Sequence, residues 1–235
     1  MISCTARYLS LLLLGLSLTY GTANADSMDE LFVEEAPSID EVNTDVATYK
    51  KILEGIINEK IPKVLLRKAE GIVVAKVKKV GFMVAIQAGK GLMTLRKGYD
   101  WTNPSLITVS SASLGIQAGL ESKNIVLVFT RNKLAEDILN ANLKLGAGLD
   151  LTVGPLATDV GTKEMFDKEI YYYSDGIGMF AGVSLKGSSM ASNDLANEGL
   201  YGKKVTSDDI FSGRASTTAN AVAKLKEMLQ EKAPK

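Results

Sequence analysis

Hydrophobic positions along this chain follow two rhythms, and the switch between them places helices at the ends and strands in the middle. From Ser38 onward Val42, Val46, Tyr49, Ile52, Leu53, Ile56 and Ile57 recur at helical spacing, and Ser38 followed by Glu41 forms a capping box. Pro62 predicts the start of a second, shorter helix with Val64, Leu65 and Ala69 inward and Gly71 as its C-terminal cap. The rhythm then shortens. Ile72–Val77 and Phe82–Ala88 are rich in Val, Ile and Phe, and the pattern predicts a hairpin joined through a turn at Lys78, Lys79 and Gly81. Neither face of the second run is charged, so it belongs inside a sheet, with Gly89 and Gly91 permitting bends or close backbone approach.

Further on, Tyr99–Pro104 reads as a turn, and Leu106–Val109, Ser113–Leu120 and Ile125–Phe129 as strands. A short helix is predicted over Asn132–Leu139, and Leu143–Val153 alternates as a half-buried strand ended by Gly154-Pro155. Ile170–Tyr173 and Gly178–Leu185 are two more strands, with alternation burying either Tyr172 or Tyr171 and Tyr173. Ser192–Leu200 and Ser216–Glu231 are helical, the latter with Val222, Leu225 and Leu229 as its apolar stripe. Strands with few helix-length crossovers, enclosed by helices, predict a single-domain α+β fold. Its sheet is expected to be mostly antiparallel and strongly curved or barrel-like, flanked by N-terminal and C-terminal helices.

The first residues follow another logic. Arg7, the apolar run Tyr8–Leu18 and Ala23-Asn24-Ala25 have the layout of a secretory signal, which predicts cleavage between Ala25 and Asp26 and an exported, periplasmic or secreted protein. Residues 26–37 then form an acidic leader, and residues 38–235 the domain. Cys4 is the only cysteine of the 235 residues, so the mature chain must be stable without disulfides. Histidine is absent, which excludes Ser-His-Asp and Cys-His catalysis and H-E-x-x-H zinc chemistry.

The formal charge is zero, but it is unevenly spread. Eight acidic and no basic residues lie in 26–49, whereas 50–97 holds twelve basic and three acidic ones. Such asymmetry points to an anionic surface or partner; the alternatives are a solvated face or pairing with the acidic leader. Lys63 and Arg67 stand four apart on the second helix beside Lys68, and Lys76, Lys78 and Lys79 cluster in the hairpin. These six are the candidate lipid-binding residues. Gly146-x-Gly148 and Gly176-x-Gly178 complete no dinucleotide fingerprint, and Gly202-Lys203 lacks the upstream glycine of a P-loop. Asp150, Asp159, Asp167 and Glu169 form no calcium loop. No cofactor, metal or nucleic-acid partner is expected, and no enzymatic activity.

Several short motifs coincide with a known pattern. They are Lys68-Ala69-Glu70-Gly71-Ile72, Gly81-Phe82, Trp101 with Pro104, and Gly115–Gly119, followed by Tyr173-Ser174, Gly178–Gly187, Asn197 and Tyr201-Gly202. With these, Ile61–Gly202 resembles the SYLF-domain family of lipid-binding modules. Ala75 and Met83 depart from that pattern, standing where the family often has proline and glycine. The resemblance implies binding of anionic phospholipid at a membrane surface. Lysine and arginine would be drawn to phosphates and apolar residues of the first helix inserted. The rival expectation is a cell-envelope structural or protein-interaction role with an envelope protein as partner.

Overall fold

The computed structural model describes residues 35–82, 84–114, 119–140, 151–157, 163–175 and 188–235. Helix α1 spans Ile39–Lys60 and opens on the expected box: the Glu41 amide donates to the Ser38 hydroxyl at 3.3 Å and the Ser38 amide to the Glu41 carboxylate at 3.0 Å. Its stripe of Val42, Val46, Tyr49, Leu53, Ile56 and Ile57 is entirely buried. That overturns the expected insertion of this helix into a membrane, because its apolar face is spent on the core.

Helix α2 is Lys63–Lys68, ended by Ala69 in an extended conformation. Gly71 is therefore not its cap. It opens strand β1, Gly71–Phe82, where an added Cβ would lie 3.1 Å from both Ala135 and Leu95. Strand β2 is Val84–Lys97, so the second predicted run continues through Gly89 and Gly91 as one long strand. The short β3, Asp100–Trp101, returns along β2, and β4 (Ser105–Leu114) and β5 (Gly119–Phe129) follow. Helix α3 is Asn132–Asn140, and β6 (Leu151–Val153) and β7 (Ile170–Ser174) flank a 3-10 turn at Lys163–Phe166. Strand β8 (Ser189–Ser192) and helices α4 (Asp194–Tyr201), α5 (Ser207–Ser212) and α6 (Asn220–Lys232) complete the chain.

The eight strands pair in the order β6-β7-β5-β1-β2-β4-β8, with β3 beside β2. Every pair is antiparallel except β6 with β7. The α+β class thus stands, but among the described residues the sheet is an open path with ends at β6 and β8 rather than a barrel. The expected strand over 113–120 is divided between the end of β4 and the start of β5. Strand β8 begins before the predicted helix start at Ser192, and α5 was not anticipated. Residues 143–150 and 178–185 lie outside the described residues.

The paired segments Gly71–Ala75 of β1 and Ile125–Phe129 of β5 are buried on both faces, where helices cover the sheet. Helix α3 packs through Ala135 on the face of Gly71. Helix α1 crosses β1, β2, β5 and β7 and is itself backed by α4 and α6. The three tyrosines of β7 are all buried, not alternately so. The strand lies between β5 and β6, and its neighbours satisfy the phenols: Tyr171 donates to the Met165 carbonyl at 3.0 Å and Tyr173 to that of Pro155 at 3.0 Å.

Candidate anion-binding faces

The cations of the basic block divide by what the fold does with them. Lys60 donates to the Ser174 carbonyl at 2.6 Å, Lys68 to that of Phe166 at 3.1 Å and Lys97 to that of Ser212 at 2.8 Å. Lys50 pairs with Glu54 at 2.8 Å. Arg96 is only 1% exposed. It lies in β2 and donates from Nε to the Ala69 carbonyl at 2.6 Å and from Nη2 to those of Leu66 at 3.1 Å and Ala233 at 2.9 Å, while its guanidinium stacks 4.5 Å from the Trp101 ring centre. Burial lowers its pKa, opposed by the charge of Glu70. Among the candidates, Lys68 is thus tied to the 3-10 turn, whereas Lys63, Arg67, Lys76, Lys78 and Lys79 make no hydrogen bond or ion pair with described residues.

These five do not form one surface. Lys63 and Arg67 sit exposed on α2, whose Leu65 and Leu66 anchor it to the core. The lysines of the hairpin are not at a turn: they lie inside β1, which continues to Phe82. At about 3.3 Å per residue, Lys78 stands roughly 23 Å along the strand from Gly71, where α2 hands over to the sheet. Alternation then separates Lys76 and Lys78 from Lys79, which is half-buried on the other face.

The register adds a residue that sequence reasoning missed. Lys76 is directly opposite Lys90 on β2 and Asn124 on β5, while Lys78 faces Ala88 and Ser122. Lys90 in turn pairs with Thr108 and Ala88 with Ser110 on β4. Lys76, Lys78 and Lys90 therefore form a lysine band edged by hydroxyl and amide side chains, with two like charges opposite each other at a cost in stability. Asp45 of α1 is close enough to feel Lys90: desolvation raises the pKa of this carboxyl, and Lys90 lowers it. Because every β1–β2 pair is mirrored across position 83, a turn placed four residues early hides the Lys76–Lys90 pairing. A correct turn position was the signal that would have found it.

The residues that carry the family resemblance do something else. The Asn197 side chain accepts from the Leu106 amide at 2.8 Å and donates to the Leu106 carbonyl at 3.1 Å, with Ser105 and Ser192 hydroxyls at 3.3 and 3.0 Å. Tyr201 donates to the Pro104 carbonyl at 2.8 Å, and Trp101 is buried beneath Arg96. Asn197 and Tyr201 thus clamp α4 onto the sheet at the start of β4.

Residues 110–232 match the family described as Ysc84, Las17-binding protein actin regulator. The chain belongs to the Ysc84 family. Among similar proteins, SH3 domain-containing YSC84-like protein 1 of Xenopus laevis is 31% identical over 156 residues, 64% of this chain and 45% of the relative. Protein YSC84 of Saccharomyces cerevisiae is 30% identical over 160 residues, 66% of this chain and 34% of the relative. The chain spans a third to a half of the length of these Ysc84 relatives. No solved structure matches it. All six candidate cations lie before residue 110, outside the segment that the Ysc84 family description matches.

Proposed function

We propose that this Ysc84-family domain is a non-enzymatic module that binds the anionic face of a phospholipid membrane, and that it works in an extracytoplasmic compartment after cleavage between Ala25 and Asp26. One observation carries the reading: Lys63, Arg67, Lys76, Lys78 and Lys79 present charge that no described residue takes up, and Lys90 adds to it. Each such cation near a charged bilayer contributes about 1 kcal/mol, weakened by salt. With α1 buried, the attraction is electrostatic rather than insertional through that helix. The apolar runs of the chain support this only as scaffold, since they fill the core.

Flotation tests it. The protein should rise with vesicles containing anionic phospholipid, rise much less with zwitterionic ones, and detach as salt is added. A second reading is supported by the family description, which names binding to Las17: a module whose partner is a protein. Equal flotation with both vesicle types, or none with either, favours that reading. N-terminal sequencing of the exported chain should give Asp26 first; an exported chain that keeps Met1 refutes the processing step.

A further inference from the structure

Beside α2 lies a cleft of about 920 Å³, walled by the end of α1, α2 itself, the 3-10 turn and the end of α6. Its size is in the range of preformed small-molecule sites, roughly 300–1,000 Å³. Ile57, Ile61, Leu66 and Phe166 make the floor, and Val64, 44% exposed, stands on the rim. Leu156 and Met165, two of the large hydrophobic residues open to solvent, adjoin the lining residues Ala157 and Phe166 in the chain.

The charged lining is one-sided. Lys63 and Arg67 have no described partner, and the acid among the described lining residues, Glu231, is paired with Lys232 at 3.1 Å. The walls are also fixed in place. Arg96 holds the carbonyls of Leu66 and Ala69 at the end of α2 and that of Ala233 at the end of α6, so both sides of the cleft hang from one guanidinium. An apolar floor with unpaired cations at its rim, held open by a buried clamp, is complementary to a molecule with an apolar tail and an anionic head.

We infer that this cleft binds one molecule of an anionic amphiphile, its alkyl chain against Ile57, Ile61, Leu66 and Val64 and its phosphate or carboxylate between Lys63 and Arg67. The inference rests on the reading of the domain as an anionic-lipid binder and deepens it, from attraction to a surface to capture of a single lipid. It also separates two roles: the lysine band of β1 and β2 meets the membrane, and the α2 cleft takes the lipid.

The probe is dodecyl phosphate, titrated into the full mature protein below the concentration at which it forms micelles. Calorimetry should show one molecule bound per chain, with salt weakening the binding. Inorganic phosphate and the neutral dodecyl maltoside should not bind at the same concentrations, which separates a lipid head group from free phosphate. Octyl phosphate should bind more weakly, by on the order of fourfold for each methylene that no longer reaches the floor. Val64→Asp and Arg67→Glu, both at exposed positions, should each weaken dodecyl phosphate by at least about tenfold with an unchanged circular dichroism spectrum. Lys76→Glu with Lys78→Glu should leave this binding unaltered. Absence of saturable binding, or wild-type affinity in both cleft variants, overturns the inference. Vesicle flotation of the same samples reads the broader proposal: protein that floats but takes no dodecyl phosphate keeps the membrane reading and loses the cleft. Protein that does neither loses both, and protein that binds the probe without floating keeps the cleft alone.

Discussion

Replacing Arg96 with methionine removes a charge from a nearly dry site and leaves three backbone carbonyls behind. The bonds lost include those to Ala69 at 2.6 Å, Leu66 at 3.1 Å and Ala233 at 2.9 Å, together with the stacking on Trp101. Hydrogen bonds from a charged donor contribute about 1.5–3 kcal/mol each, and a cation over an aromatic ring in a desolvated site about 2 kcal/mol. Against that sum stands the cost of dehydrating the guanidinium, the same effect that lowers its pKa. Each buried carbonyl left without its donor costs about 1–3 kcal/mol, so after the relieved dehydration a net loss of about 3–5 kcal/mol is expected. For a domain of this size each kcal/mol moves the melting temperature by roughly 2–4 °C, so Arg96→Met should melt on the order of 10 °C lower. Arg96→Lys keeps the charge but not the planar fork, and a single ammonium cannot serve carbonyls on α2, the strand junction and the chain end together; it should lose at least half as much. Urea denaturation followed by circular dichroism gives both values. A methionine variant within about 2 °C of the parent, or above it, would mean that dehydration cancels the bonds and that the clamp contributes nothing to holding the cleft walls.

Other consequences follow from single positions. At Gly91 an added Cβ would run into the Val74 carbonyl and the Ala75 side chain, so Gly91→Ala should lose about 1–3 kcal/mol in urea denaturation. Gly55→Ala, on the exposed side of α1 with nothing within 4 Å, should gain about 0.4–1 kcal/mol; the opposite order refutes the close approach of β1 and β2. Bonds from Thr206 first, and then from Arg214, lower the Asp209 pKa from 3.8 to about 2. A folded pKa below the unfolded one means stability that is present above pH 3.8 and lost as pH falls toward 2, so the acid side of the stability profile should flatten in Asp209→Asn. Changing Lys76, Lys78 and Lys90 to Glu should abolish flotation on anionic vesicles at moderate salt, while Lys203→Glu with Lys204→Glu, on the exposed loop before α5, should retain most of it. Equal flotation of the two variants would reduce the lysine band to a solvated face.

Local rules made much of the architecture legible. The box at Ser38 and Glu41 and the stripe from Val42 to Ile57 specify α1 almost residue by residue, because both signals are complete within a few residues of each other. The hairpin was legible as two strands but not in its register. Lysines in a strand whose outer face meets solvent give the same local pattern as lysines in a turn, and only the pairing partner distinguishes them. Helix α5 is six residues long, too short for any periodicity to show, although its box of Thr206 and Asp209 could have been read. Arg96 was hidden for a different reason: one of its partners, Ala233, is 137 residues away, and no local pattern marks an arginine of the basic block as buried. The cleft is likewise assembled from α1, α2, the 3-10 turn and α6, segments that meet only in the fold.

That separation bears on where the function of this Ysc84-family chain resides. Two described residues of the family signature, Asn197 and Tyr201, are spent internally. The Asn197 amide serves Leu106, Ser105 and Ser192, and the Tyr201 hydroxyl serves Pro104. Their polar atoms are buried and engaged within the fold, so their contribution is to hold α4 and the first residues of β4 in place. The ligand chemistry proposed above rests instead on exposed cations of α2 and of β1 and β2, before the segment matched by the family description. Lys63 and Arg67 are held by an element of only six residues, whose position depends on Leu65 and Leu66 in the core and on Arg96 at its end. A substitution in the family signature should therefore reduce stability and binding together. A substitution at Lys63, Arg67 or Lys78 should change binding at nearly constant stability, because exposed charges without described partners usually contribute less than about 0.5 kcal/mol to the folded state.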